Sequence, residues 1–280
     1  MRVKIGDVSL FFDVEGAKLR TDGAAMREVP TVVLLHGGPG FDHSNFKPDF
    51  SRLADIAQVV YLDHRGNGRS DRGDPAKWNL PQWGDDVRAF CDALEIVRPI
   101  VLGISFGGMV AMSYATRHPD HPAKLVLSST AARLSQDRSL AMFEQLGGAE
   151  VREAARRFFE NPGPETIPDF QKKCLPVYNR NPMGPEFTER SVTNFDLTFE
   201  FFRHESQSYN FLPSLGRIKC PTLIAAGELD PITPLADSHD IAAAMAPGLT
   251  RLEVFENAGH GAHRDEPDRF FKLLNEFVLA

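Results

Sequence analysis

A serine hydroxyl becomes a useful nucleophile only beside a base that takes its proton, and a histidine serves best when a carboxylate fixes its tautomer. Ser105 lies in Gly103-Ile104-Ser105-Phe106-Gly107, with Gly108 immediately after. Glycines two residues to either side permit a sharp, strained turn that pushes the hydroxyl outward, where a larger side chain would collide with the neighbouring strand or helix. The backbone N–H of Phe106, first in the helix that follows, then points at the carbonyl under attack. The base and its orienter come later in the chain. Asp230 stands in Glu228-Leu229-Asp230-Pro231-Ile232-Thr233-Pro234, pinned by the two prolines that follow it, and His260 stands in Asn257-Ala258-Gly259-His260-Gly261-Ala262-His263.

A second oxyanion donor is expected from His36-Gly37-Gly38-Pro39-Gly40, where glycines let the backbone approach a ligand and leave an N–H free. Gly38 is the better candidate and Gly37 the alternate; His36, on the strand side, reads as packing. Other groups compete for each role. His263 follows the glycine turn less directly than His260, Glu228 lacks the flanking prolines of Asp230, and Ser128 and Ser129 end a strand without glycines beside them. Asp63-His64-Arg65-Gly66-Asn67-Gly68-Arg69-Ser70 is not a phosphate-binding G-x-x-x-x-G-K-[ST] loop, and Asp63 and Arg65 read as an ion pair that braces it.

The elements that must carry these groups follow from hydrophobic pattern. Val3–Ile5 and Val8–Val14 read as an antiparallel hairpin, and 17–28 as a polar surface loop. Continuous apolar runs at Thr31–Leu35, Gln58–Leu62, Pro99–Gly103, Lys124–Ser128 and Pro221–Gly227 are strands covered on both faces. Between them, Leu80–Ile96 places Trp83, Val87, Phe90 and Leu94 on one helical face, and the helix after Ser105 should stop near His118-Pro119. A helix to about Met245, a strand at Arg251–Phe255 and a helix at Pro267–Leu279 complete the chain. Strands alternating with helices require right-handed crossovers and a largely parallel sheet, with ligands beyond the carboxyl ends of the strands. Both His36-Gly37-Gly38 and Ser105 fall at such ends.

The alternation stops after the sixth strand. Residues 131–212 carry helical periodicity, many prolines and a phenylalanine cluster, which reads as a helical cap inserted into a core made of 1–130 and 213–280. Its aromatic stripe packs the cap on the core, and Phe41, Phe199 and Phe202 are the candidates for lining a pocket beneath it.

Composition narrows the classes. The 280 residues carry a net charge of −7 with no basic stripe, which argues against a nucleic-acid surface. Cys91, Cys174 and Cys220 are widely spaced, match no metal-ligand pattern and read as buried filler. No apolar stretch reaches membrane-spanning length and the first residues lack a signal-like run, so the expected location is cytoplasmic and the expected partner a small-molecule substrate.

The order Ser105, Asp230, His260, each at a strand end, is the order of the α/β-hydrolase fold. The chain resembles that superfamily over nearly its whole length, in His36-Gly37-Gly38-Pro39-Gly40, Asp63-x-Arg65-Gly66-x-Gly68-x-Ser70, Gly103-x-Ser105-x-Gly107-Gly108, Gly227-x-x-Asp230-x-x-Thr233-Pro234, and Gly259-His260 with Glu266-Pro267. Within it, the first two pieces most resemble proline iminopeptidases and their esterase or lactonase relatives. Those peptidases commonly place Trp after the nucleophile, where this chain has Phe106, and need acidic residues to hold a free amine; in some an acid follows the triad aspartate, where this chain has Pro231. Cap carboxylates such as Asp196, Glu200 and Glu205 are candidate amine anchors. The resemblance implies a Ser-His-Asp acyl-enzyme mechanism with no metal or organic cofactor, acting on a small ester or lactone, or alternatively on an N-terminal proline. The rival from another class is a ligand-binding protein on a hydrolase scaffold.

Overall fold

A computed structural model describes residues 1–182 and 184–280. Eight strands form one sheet: β1 (Arg2–Ile5), β2 (Val8–Glu15), β5 (Thr31–Leu35), β6 (Gln58–Leu62), β7 (Ile100–Ile104), β8 (Lys124–Ser128), β9 (Thr222–Gly227) and β10 (Thr250–Phe255). A separate two-stranded hairpin, β3 (Leu19–Asp22) and β4 (Ala25–Glu28), intervenes. The order in the sheet is β1-β2-β6-β5-β7-β8-β9-β10. β1 with β2 and β2 with β6 are antiparallel, and every later pair is parallel. The carboxyl ends of β5, β7, β8, β9 and β10 therefore share one edge.

The parallel strands read as unbroken apolar runs because both faces are covered. Alternate residues feed opposite layers. Val33, Leu35, Val101, Leu125, Leu127 and Ile224 pack with α1 (Leu80–Ala93), α2 (Phe106–Arg117) and Ile241 and Met245 at α9 (Leu235–Ala244). Val32, Leu34, Ile100, Leu102, Val126 and Leu223 face the other way, onto Phe50, Leu53 and the buried stripe of α11 (Pro267–Leu279). In α1, Trp83, Val87 and Phe90 are fully buried, as their spacing requires. That helix ends at Ala93, three residues before the end expected from periodicity, and Glu95 just beyond has a left-handed φ of 51°.

Between β8 and β9 the chain leaves the sheet as a helical cap, inserted after the sixth strand of the sheet. It contains α3 (Gln136–Gly147), α4 (Ala149–Glu160), α5 (Ile167–Cys174), α6 (Pro185–Arg190), α7 (Phe195–Glu200), a π-helical turn (Phe201–Glu205) and α8 (Ser206–Ser208). The cap has its own core of Phe143, Phe158, Phe159, Phe170 and Phe199. Leu197 and Phe201 reach past it into the core beside α2, and the Phe201 ring meets Phe106 edge-on at 5.3 Å. Glu205 adds a polar tie, accepting the Leu80 N–H at 2.8 Å at the start of α1.

Two expectations are corrected here. Residues 17–28 are not a loop: β3 and β4 pair across the two-residue turn Gly23-Ala24. Their side chains are almost all exposed, so no buried face imposed an alternating pattern. Asp63 and Arg65 do not pair with each other. Arg65, 2% exposed, forks onto Asp86 at 2.7 and 2.8 Å and reaches Asp7 at 3.0 Å. Asp63 accepts from the His43 N–H and ring and from the Arg69 N–H. Both still brace the loop, through partners far apart in sequence. The three cysteines are free and buried, and burial pushes the thiols of Cys91 and Cys174 up to about 12.

Candidate active site

Ser105 follows the last residue of β7 with φ 56° and ψ −120°, a conformation rarely held by a residue with a side chain. Close packing on both sides holds it there. A Cβ on Gly103 would lie 2.2 Å from the Gly107 carbonyl oxygen, and one on Gly107 would lie 1.9 Å from the Leu35 carbonyl oxygen. Strand, turn and helix thus touch backbone to backbone, which only glycine allows. The Ser105 N–H donates to the Ser128 carbonyl at 3.0 Å, and the Thr130 hydroxyl donates to the Ser105 carbonyl at 2.7 Å. Ser128 and Ser129 therefore support the turn through their strand, and their own side chains are buried.

Asp230 and His260 arrive from loops after β9 and β10. The Ser105 hydroxyl lies 2.9 Å from His260 Nε2, and His260 Nδ1 lies 2.8 and 2.9 Å from the two Asp230 oxygens. Three other donors fix that carboxylate: the N–H groups of Ile232 and Thr233 and the Thr233 hydroxyl, at 2.8, 2.9 and 2.9 Å. With Nδ1 donating to Asp230, Nε2 is left as an acceptor for the serine proton. The cap also holds His260, whose N–H donates to the Tyr178 carbonyl at 2.7 Å while the two rings meet edge-on at 5.6 Å.

Phe106 begins α2, so its N–H has no intrahelical partner. Neither it nor the Gly38 N–H donates to any protein acceptor among the described residues. The Gly37-Gly38 turn lies against Ser105, with a Cβ built on Gly37 falling 3.4 Å from Ser105 Cβ; Gly38 has φ +129°. Gly38, Ser105 and Phe106 line one cleft together. The Phe106 ring points away, fully buried between Trp83 at 4.9 Å and Phe201.

The competing residues lie elsewhere. Glu228 is exposed. His263 is buried beside Phe50 and Phe270, and burial holds its imidazole well below the usual range. His36 is fully buried, its Nδ1 2.7 Å from the Gly37 carbonyl, and burial lowers its pKa as well.

Two clefts meet at Ser105. The larger lies under the cap, lined by Phe41, Phe170, Tyr178, His260 and Arg264 among others; the smaller is lined by Phe106, Met109, Phe159 and Gln207 among others. Phe202 and Ile232 line both. Phe41 and Phe202 thus stand where a pocket was expected, whereas Phe199 lines neither cleft; it lies in the cap core, stacked on Phe195. Helical spacing identified the aromatic stripe but not which face met the cavity. Tyr178, Ile232 and Arg264 were not singled out from sequence. Ile232 carried a signal, two residues after Asp230, while Tyr178 and Arg264 carried none.

No aspartate or glutamate lines either cleft among the described residues. Asp196 and Glu200 are exposed, Glu200 beside Arg203 and His204, and Glu205 is spent on the Leu80 N–H.

Comparisons with known proteins agree with this architecture. The proline iminopeptidase of Lactobacillus helveticus is 28% identical over 272 residues, covering 90% of each chain. The enol-lactonase of Burkholderia xenovorans LB400 superposes with a TM-score of 0.74 at 21% identity, covering all of both chains. An esterase of Exiguobacterium antarcticum superposes with a TM-score of 0.76 at 20% identity, covering 100% of this chain and 99% of that one. The family model described as alpha/beta hydrolase fold matches residues 30–267, and the chain belongs to that family of enzymes.

Proposed function

We propose that the protein hydrolyses a small carboxylic ester or lactone through an acyl-enzyme on Ser105. The observation that carries this reading is the unbroken hydrogen-bonded line from the Ser105 hydroxyl through His260 to a fully buried Asp230, beneath clefts without a carboxylate. His260 Nε2 takes the serine proton as Oγ attacks the carbonyl, and Asp230 stabilises the imidazolium that results. The N–H groups of Phe106 and Gly38 receive the oxyanion, each worth roughly 2.7–4 kcal/mol by comparison with other enzymes. His260 then protonates the departing alcohol and activates the water that releases the acid.

Removal of proline from a peptide is the second reading, favoured by the Lactobacillus helveticus relative. A free α-amine is a cation and needs an acidic partner inside the pocket, and the clefts offer none among the described residues. A fluorophosphonate probe should label the wild-type chain and not Ser105→Ala. Turnover of p-nitrophenyl acetate, p-nitrophenyl butyrate, a γ-lactone and proline 2-naphthylamide then ranks the readings. Labelling with preference for proline naphthylamide would establish the peptidase instead, and no labelling would leave a binding protein on this scaffold.

A further inference from the structure

Arg264, in the short helix α10 (Ala262–Asp265) four residues after His260, lines the larger cleft. Its guanidinium lies over the Phe187 ring, 5.0 Å from the centroid. That cation–π contact holds the group without using its N–H edges. Among the described residues those edges donate to no acceptor and form no ion pair, unlike most arginines of this chain. Arg190, over the other contact to Phe187 at 5.6 Å, donates to the Lys47 carbonyl, and Arg203 reaches the Pro162 carbonyl. Two carboxylates act on Arg264 only through space, Asp49 and Asp265. Asp265 is already held by the N–H groups of Asn181 and Gly259, both at 2.8 Å. Burial pulls Arg264 down to about 10, still fully charged at neutral pH. The cleft thus holds one partly buried arginine whose donors are unspent among the described residues.

We infer that Arg264 binds an anionic group of the substrate, a carboxylate remote from the bond cleaved at Ser105. Resting on the hydrolytic reading above, it narrows the substrate class to esters or lactones that carry, on the acyl or the alcohol side, an ionised carboxyl group besides the one cleaved. The fork of N–H donors matches a planar carboxylate bidentately. A single guanidinium whose charge is already partly offset by Asp49 and Asp265 suits a monoanion better than a doubly charged phosphate. Asn45, Gln171 and Asn179 line the same cleft and supply neutral polar contacts.

The test compares matched pairs on the full-length protein by proton release: monomethyl adipate against methyl hexanoate, and 6-acetoxyhexanoate against hexyl acetate. The acidic member of one pair should be preferred in kcat/KM, and Arg264→Leu should reduce that preference on the order of 10–100-fold, as loss of a charged hydrogen-bonded contact does elsewhere. Arg264→Lys should restore part of it. Calorimetric titration of the wild type with adipate, hexanoate and inorganic phosphate reads the same site without turnover; adipate should bind and the other two should bind at least tenfold more weakly. Neutral esters preferred in both pairs, or adipate no tighter than hexanoate, would overturn the inference while leaving ester hydrolysis intact. Absence of fluorophosphonate labelling would instead remove the hydrolytic reading on which it rests.

Discussion

Asp230 shows how much of a base's behaviour is set by hydrogen bonds one residue removed. Its oxygens accept from Ile232, Thr233 and His260, so an asparagine there can keep its carbonyl on the two backbone N–H groups and must turn its amide N–H toward His260. The imidazole would then carry its proton on Nε2, facing Ser105, and could no longer accept from the hydroxyl. Asp230→Asn is expected to lower kcat for p-nitrophenyl acetate by about 10⁴-fold with little change in thermal midpoint, by comparison with the same change in serine proteases. Ser105→Ala should lose a similar factor or more. A loss below tenfold in either purified, folded variant would contradict the assigned roles. At this scale the sequence was highly legible, because Ser105, Asp230 and His260 each sit beside glycines or prolines that mark strand ends. It was less legible where partners are distant: Arg65 was visible as a brace, but its bond to Asp86 depends on how α1 lies against the loop.

Between elements, the decisive contact is α2 seated on the end of β5. The Gly107 Cβ position falls 1.9 Å from the Leu35 carbonyl oxygen and 2.7 Å from that of His36, both backbone atoms that cannot step aside. Gly107→Ala should therefore cost about 3 kcal/mol or more in chemical unfolding and shift the Gly37-Gly38 turn away from Ser105. An alanine variant as stable and active as wild type would show that the turn has slack. The cap offers the complementary case. Phe202 lines both clefts and is packed against Phe158 at 5.3 Å and Phe159 at 6.2 Å. Phe202→Ala should widen the space where they meet, raising kcat/KM for p-nitrophenyl octanoate relative to the acetate by tenfold or more; an unchanged ratio would mean that acyl chains lie elsewhere. The hairpin at 19–28 was missed because it buries almost nothing. Its one clue was Gly23, with φ 61°, at the first position of a two-residue turn.

For the whole molecule, buried titratable groups set the response to acid. His36, His64 and His263 are nearly inaccessible, and burial lowers all three, His64 and His263 most strongly. The folded state keeps them neutral while the unfolded chain protonates them, so their contribution is present above about pH 6.5 and is lost as pH falls. Asp237 acts in the opposite sense. Burial pushes it up to about 6 despite Arg138 at 2.7 Å, so the folded state takes up one proton before the unfolded chain does. Below about pH 6.5 the unfolded chain therefore takes up more protons at these histidines than the folded state does at Asp237, and stability should fall as the pH is lowered. Urea unfolding between pH 7 and 4.5 measures this slope; a flat profile would mean that the histidines protonate in place. Asp237→Asn should steepen the slope by about one proton.

Local chemistry in the chain specified the turns, the order of strands and helices, and the three side chains that meet at Ser105, because glycine, proline and apolar periodicity act over a few residues. Which surfaces those elements presented to one another was settled only by packing. The cap helix carrying Phe195, Phe199 and Phe202 has one periodicity but two fates, Phe199 in the cap core and Phe202 on the cleft wall. Likewise Arg264 reads as an ordinary charge beside His260 until Phe187, far away in the chain, is folded beneath it. A side chain's partners are set by the angle and depth at which whole elements dock, and no short stretch of sequence contains that information.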